Sequence, residues 1–236
     1  APEGTCGGQS PCYAGIQAAV NAVDDADDLV KVAAGVYTDT HAFGTTQVVY
    51  IDKPLSLQGG YMVGDWDTAD PANNVCTIDV GGQGRGIVIR DATVTVRGFE
   101  ITGGDATGQG GYTYFGIVYG DAGGGLYVKE ASATVEDCTL YDNVATADSS
   151  SRGFGGGLFA YDSVLNLSDT EIHHNTASSG AKQGNGGGVY LAFCSEHTML
   201  SGNTLYENVA GSESYGNGGG VGIRSSSFVT LTNNVI

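Results

Sequence analysis

The chain is 236 residues long, enough for one sizeable domain, and a hydrophobic content of 41% supports a packed core rather than disorder. Glycine is abundant at 40 residues, but without a three-residue period, which excludes a collagen-like fibre. A net charge of −17 with only 9 Lys and Arg repels phosphate backbones and anionic lipid, so nucleic acid and membrane surfaces are poor partners, and no apolar run is long enough to span a bilayer.

In chain order, the first residues are Ala1-Pro2, with no Met and no basic segment, which suits a secreted chain whose signal peptide has been removed and equally a fragment of a longer chain. Cys6 and Cys12 bracket a Gly/Ser/Pro loop and are expected to close a small disulfide, in keeping with an oxidising compartment. Ile16, Ala19, Val20 and Val23 recur at i, i+3, i+4 and i+7. They predict one amphipathic helix over roughly 11–24, with Ser10 as N-cap and Pro11 at the first helical position. Its apolar face would cover an open strand edge, so residues 1–28 read as a cap and 29–236 as the body. The strand "LVKVAAGVYT" comes next, then "VVYIDKPLSLQGGY" and the loop "MVGDWDTADPANN" with Trp66, the single tryptophan. "VTVRGFEITGG" aligns with "ATVEDCTLYDN", so that Val96 matches Val135 and Ile101 matches Leu140.

From there the chain repeats. "GGGLYVKEASATVEDCTLYDNVA" is followed by "GFGGGLFAYDSVLNLSDTEIHHNTA", "GGGVYLAFCSEHTMLSGNTLYENVA" and "GGGVGIRSSSFVTLTNNVI". The last glycines of the triplets, Gly125, Gly157, Gly188 and Gly220, are 32, 31 and 32 residues apart, and Asn143, Asn175 and Asn208 are 32 and 33 apart. Short alternating runs rich in Gly, Thr, Val, Ser and Asn argue for strands and against helical repeats. Each repeat reads as one coil that cannot bury its apolar face alone and does so by stacking at about 4.8 Å. Stacking predicts a ladder of Asn143, Asn175 and Asn208 holding a sharp turn. It also predicts an inward column of Ile87, Leu126, Leu158, Val189 and Val221, and an outward one of Val88, Tyr127, Phe159, Tyr190 and Gly222. Cys138 falls where its repeat-mates carry Thr170 and Asn203 and reads as a buried free thiol. Cys76 and Cys194 have no evident partner, and without a CxxC pair no zinc site is expected.

The run "IQAAVNAVDDADDLVKVAAGVYTD", then "KPLSLQGGY", "VRGFEITGG" and the repeated "GGGLY…N.A", resembles secreted right-handed parallel β-helix proteins of the pectin-lyase-like superfamily, in particular those with polymorphic outer-membrane-type repeats. The resemblance covers nearly the whole chain. It implies an all-β solenoid with an N-terminal amphipathic helix cap, and an extracellular or cell-surface location. It does not choose an activity, because that architecture hosts lyases, hydrolases, tailspikes, adhesins and surface-layer proteins.

The polygalacturonase patterns are absent, and the pairs Asp24-Asp25 and Asp27-Asp28 belong to a helix end. Arg90, Lys129 and Arg224 share one outward column and Arg97 lies in another; none sits beside an evident acidic cluster. His173-His174, with Glu171 two residues before, is the most enzyme-like group. By register, however, His173 stacks between Tyr141 and Tyr206 and His174 lies between Asp142 and Glu207, with no third metal ligand in view; His41 and His197 are isolated. Tyr127, Phe159 and Tyr190 read first as a packing ladder and second as a flat platform for sugar rings. The segments "VATADSSSRGF", "TASSGAKQGN", "VAGSESYGN" and "DATGQGGYTYFGIVYGDA" read as loops along one edge. Calcium is the one cofactor worth testing, since "YGDAGGG" offers oxygen ligands.

The functional expectation is a non-catalytic extracellular or cell-surface structural or adhesion protein with polysaccharide or other surface proteins as contacts. The alternatives are a polysaccharide lyase or glycoside hydrolase acting on the loop side, and a carbohydrate-binding module. At the C-terminus Leu231 matches Leu167 and Ile236 matches Ile172, so the chain stops inside a coil. The expectation there is further coils in a longer protein, with self-assembly through the open end as the alternative.

Overall fold

The structure is a computed structural model of the chain and describes residues 6–180, 183–194, 197–211 and 215–236. It is nearly all β, and most of it is parallel sheets in which each strand bonds to its counterpart one repeat away. Sheet I runs from His41–Ala42 through Thr46–Ile51, Arg85–Arg90, Leu126–Lys129, Leu158–Tyr161 and Val189–Ala192 to Val221–Arg224. Sheet II has seven strands from Leu29–Ala33 to Val229–Thr232, and sheet III six from Gly35–Tyr37 to Thr204–Tyr206. A three-stranded sheet IV contains Val144–Thr146, Thr176–Ser178 and Val209–Gly211. One repeat thus visits sheets I, II, III and IV in turn, passes through a two-residue strand such as Gly153–Phe154, and re-enters sheet I.

The registers follow the repeat. Leu126 pairs with Ile87 on one side and Leu158 on the other, and Leu158, Val189 and Val221 continue the column. Ile87, Leu126, Leu158 and Val189 are fully buried in the main core, together with Val96, Val135, Ile101 and Leu140. Val96 pairs with Val135 and Ile101 with Leu140, as their alignment requires. At the C-terminal end Leu231 pairs with Leu200, and Val235 bridges Thr204, which sets Ile236 level with Leu205 and Ile172.

Each corner between sheets is made by one residue in the left-handed region. Asp91, Glu130 and Asp162 turn sheet I into sheet II, Asp137 and Asp169 turn sheet II into III, and Asp142, His174 and Glu207 turn sheet III into IV, all with φ between 47° and 54° except His174 at 56°. Short polar side chains that bond locally tolerate this conformation best, which accounts for the aspartates. At the return to sheet I the glycine triplets have a divided role. The first glycine, Gly123 or Gly155, adopts φ of 67° or 60°. The third has no room for a side chain: a Cβ on Gly125 would stand 2.6 Å from the Gly157 carbonyl oxygen and 2.9 Å from the Asn143 amide nitrogen.

Two expectations are corrected. The helix spans only Ile16–Ala22, with Gly15 at its N-cap and no side-chain cap, so Ser10 and Pro11 lie outside it. Cys6 and Cys12 are joined by a disulfide that closes residues 6–12 into a loop ahead of the helix, with Gly7 and Gly8 at positive φ. Helix residues Ile16 and Val20 are buried against the core, and Gln17 pairs the backbone of the strand above: its Oε1 accepts from Tyr50 N at 2.6 Å and its Nε2 donates to Tyr50 O at 3.0 Å. Second, "DATGQGGYTYFGIVYGDA" is no simple loop. Gly111–Tyr114 and Ile117–Ala122 form an antiparallel hairpin whose second strand pairs in parallel with Gly153–Phe154. Among the described residues no helix is long and apolar enough to cross a membrane.

Candidate functional site

Three places gather chemically capable side chains. The first is the outer face of sheet I. Tyr127, Phe159 and Tyr190 lie in register there, with ring centroids 5.6 and 6.0 Å apart and planes within 15°. The hairpin lies over them. Tyr112 and Phe154 close on the column at 4.7 Å from each other, and the three rings are 6%, 0% and 5% exposed. The rings, read from the sequence first as a packing ladder and second as a sugar platform, are therefore covered: they meet other side chains, because an outward strand position faces solvent only when nothing folds back onto it. The Tyr127 hydroxyl donates to Gly111 O at 2.8 Å, which ties the hairpin to the sheet.

Arg85, which no sequence pattern singles out, is the anchor of this cluster. It is 1% exposed. Its Nε donates to Ala122 O at 2.9 Å and its Nη2 to Gly110 O at 2.8 Å, and the guanidinium lies 4.7 Å from the centre of the Tyr127 ring. Burial lowers its pKa to about 10, against the opposing influence of Tyr127 and Asp121. Asp121, the carboxylate of "YGDAGGG", is equally engaged: its oxygens accept from Gly110 N and Thr146 Oγ1, each at 2.8 Å. Those oxygens already serve protein donors. Arg90, Lys129 and Arg224 do share one register column on this face, broken by Tyr161 and Ala192. Lys129 pairs with Glu130 at 3.3 Å. Arg97, on sheet II, sits beside acids after all: it bonds Asp137 at 2.7 Å and Glu136 at 3.5 Å, and the Asp137 hydrogen bond raises its pKa further. The acids at the helix end act locally, with Asp28 Oδ2 accepting from the backbone of Asp24 and Asp25.

The second place is the corner after sheet III. His173 is sandwiched between Tyr141 and Tyr206 at 5.3 and 4.9 Å, with planes within 12°. Its Nδ1 lies 2.8 Å from His174 Nδ1, while His174 Nε2 meets Glu207 Oε2 at 2.6 Å. The Tyr206 hydroxyl donates to Glu171 Oε1 at 2.6 Å, which raises the tyrosine's pKa. Beneath this corner runs the asparagine ladder. Asn143 Nδ2 donates to Asn175 Oδ1 and Asn175 Nδ2 to Asn208 Oδ1, both at 3.0 Å. A second ladder, which no single repeated residue type signals, runs along the sheet II–III corner: Cys138 N donates to Thr170 Oγ1, Thr170 N to Asn203 Oδ1, and Asn203 N to Asn234 Oδ1. Cys138 is a buried free thiol there, its pKa pushed up to about 12 by burial, and Cys76 and Cys194 are buried and free as well.

The third place is a cleft of about 550 Å³ between the helix, the first strand of sheet II and the loop carrying Trp66. The Trp66 indole N–H donates to Cys6 O at 3.2 Å, its ring stacks on Tyr61 at 5.9 Å, and Lys31 Nζ donates to Trp66 O at 2.5 Å. His41 neighbours Phe43, and His197 stacks on Phe228, each apart from the other histidines. Part of the "TASSGAKQGN" and "VAGSESYGN" segments lies outside the described residues. Compared with protein-family models, with curated proteins and with solved structures, the chain matches none.

Proposed function

We propose that this chain is a right-handed parallel β-helix, capped at its N-terminal end by the helix Ile16–Ala22, and that it serves as a secreted or cell-surface structural or adhesion module without catalytic activity. The observation that carries this reading is the employment of the side chains that the sequence offers for chemistry. His173 is clamped between two tyrosines, His174 is held by Glu207, Glu171 is taken by Tyr206, and Arg97 is taken by Asp137. Arg85 and Asp121 secure a hairpin. Groups satisfied by neighbouring coils contribute to rigidity, and a rigid, regularly spaced scaffold is what an adhesive or matrix module requires.

The regular outer surface also supports contact with polysaccharide or with other surface proteins, and the rival reading is a polysaccharide lyase or hydrolase working on the loop side. The deciding experiment incubates the protein with neutral and acidic polysaccharides, with and without calcium, and measures both bond cleavage and retention. Retention without cleavage, or neither, agrees with the proposal. Reproducible cleavage at a rate proportional to protein concentration refutes it.

A further inference from the structure

Neighbouring side chains on an extended strand leave on opposite faces. His173 and His174 do not, because His174 is the corner residue with φ of 56°, and that left-handed turn brings its ring round to meet His173. The rings stand nearly perpendicular, at 84°, with their Nδ1 atoms 2.8 Å apart. We propose that this pair is a chelating site for a divalent transition metal of square-planar or tetragonal preference, copper(II) above all, with solvent in the remaining positions.

Three observations carry the assignment. The first is the bite. Two imidazole nitrogens each about 2.0 Å from one ion are about 2.8 Å apart at adjacent corners of a square, but about 3.3 Å apart at the corners of a tetrahedron. The observed gap matches the square that copper(II) and nickel(II) prefer, and copper leads the general affinity order. The second is the outer partner. His174 Nε2 lies 2.6 Å from the Glu207 carboxylate. A hydrogen on Nε2 donated to that carboxylate leaves the Nδ1 lone pair free for a metal, the arrangement metal-binding histidines commonly show. The third is rigidity: Tyr141 and Tyr206 fix the plane of the His173 ring on both faces, so little ordering is required when an ion binds. The His174 side chain is 50% exposed, so the site is reachable from solvent. On binding, the ion takes the place of the hydrogen shared between the two Nδ1 atoms, and His173 carries its hydrogen on Nε2 instead. Among the described residues no third His, Cys, Asp or Glu completes a cluster, which is why water fills the other positions.

The test titrates the intact protein with copper(II), and in parallel with zinc(II), following equilibrium binding and the electron paramagnetic resonance spectrum. His173→Phe keeps a flat ring between the tyrosines and removes one ligand; His174→Asn tolerates the left-handed backbone and removes the other. The expected result is one copper per chain with two-nitrogen coordination, zinc at least about tenfold weaker, and loss of at least about tenfold in copper affinity in each variant. Thermal melts of the metal-free variants establish that they are folded. Copper binding of unchanged affinity in both variants, a one-nitrogen spectrum in the wild type, or no copper binding by the wild type overturns the proposal. The wild-type spectrum decides it even if a variant fails to fold.

Discussion

Replacing Asn175 by alanine tests the physical basis of the stack. Asn175 is fully buried. Its Oδ1 accepts from Asn143 N at 3.1 Å and Asn143 Nδ2 at 3.0 Å; its Nδ2 donates to Leu140 O at 2.8 Å, to His173 O at 3.0 Å and to Asn208 Oδ1 at 3.0 Å. Alanine removes all of these at once. Asn143 Nδ2 keeps Ile101 O, but the Asn143 backbone N–H loses its acceptor inside the core. A buried donor without a partner costs about 1–3 kcal/mol, and the lost bonds to buried carbonyls together with the space left by the amide bring the total to about 3–4 kcal/mol. For a chain of this size that lowers the melting temperature by about 10 °C. Asn175→Asp is nearly isosteric and keeps the acceptor, yet a carboxylate cannot donate to Leu140 O; it is expected to destabilise comparably at neutral pH. Asn166→Ala is the control: Asn166 lies on the outward, half-buried face of its strand, and its loss should change stability by no more than about 0.5 kcal/mol. Thermal unfolding followed by far-ultraviolet circular dichroism reads all three. If Asn175→Ala melts within about 2 °C of the wild type, or no lower than Asn166→Ala, the ladder does not hold the corner and the reasoning fails.

Arg85→Met should cost about 2–4 kcal/mol, since one buried and one part-buried carbonyl lose a charged donor, and should expose Gly111–Ala122 to limited proteolysis before the rest of the chain; Arg85→Lys, with one fewer arm, should restore only part of the protection. Unchanged hairpin proteolysis in Arg85→Met would show that the aromatic packing alone holds it. The three buried thiols, Cys76, Cys138 and Cys194, should be silent to a thiol reagent in the native protein and all react in urea, whereas a fast-reacting thiol before unfolding would contradict their burial. Stability should also fall at alkaline pH. Burial raises the Cys138 pKa from 9.0 to about 12, so the folded form holds a proton that the unfolded chain releases. That contribution is complete below pH 9.0, and is lost progressively as the pH rises towards 12. Cys138→Ala should flatten this part of the profile, and an unaltered slope in that variant would remove the thiol as its cause.

Much of this molecule is legible from its period. Parallel stacking places equivalent residues of successive repeats one above another. Counting 31 to 33 residues therefore suffices to set Leu126 on Leu158, to align Asn143, Asn175 and Asn208, and to slide His173 between Tyr141 and Tyr206. The alternation within "GLYV" likewise assigns Leu126 to the core, because side chains on a strand must point to alternate faces. What the period cannot reach is whatever occurs once. The hairpin Gly111–Ala122 has no counterpart in the later repeats, so its fold over sheet I has no sequence signal, and with it go the burial of Tyr127, Phe159 and Tyr190 and the anchoring role of Arg85. The Gln17 contact with Tyr50 and the short helix are likewise set by what surrounds them. So is the approach of the His173 and His174 rings, which depends on a single backbone angle at a corner. Repetition determines which residues lie one above another, since that is a property of spacing; which faces are covered, and which atoms meet across a turn, is decided only when the chain closes on itself in three dimensions.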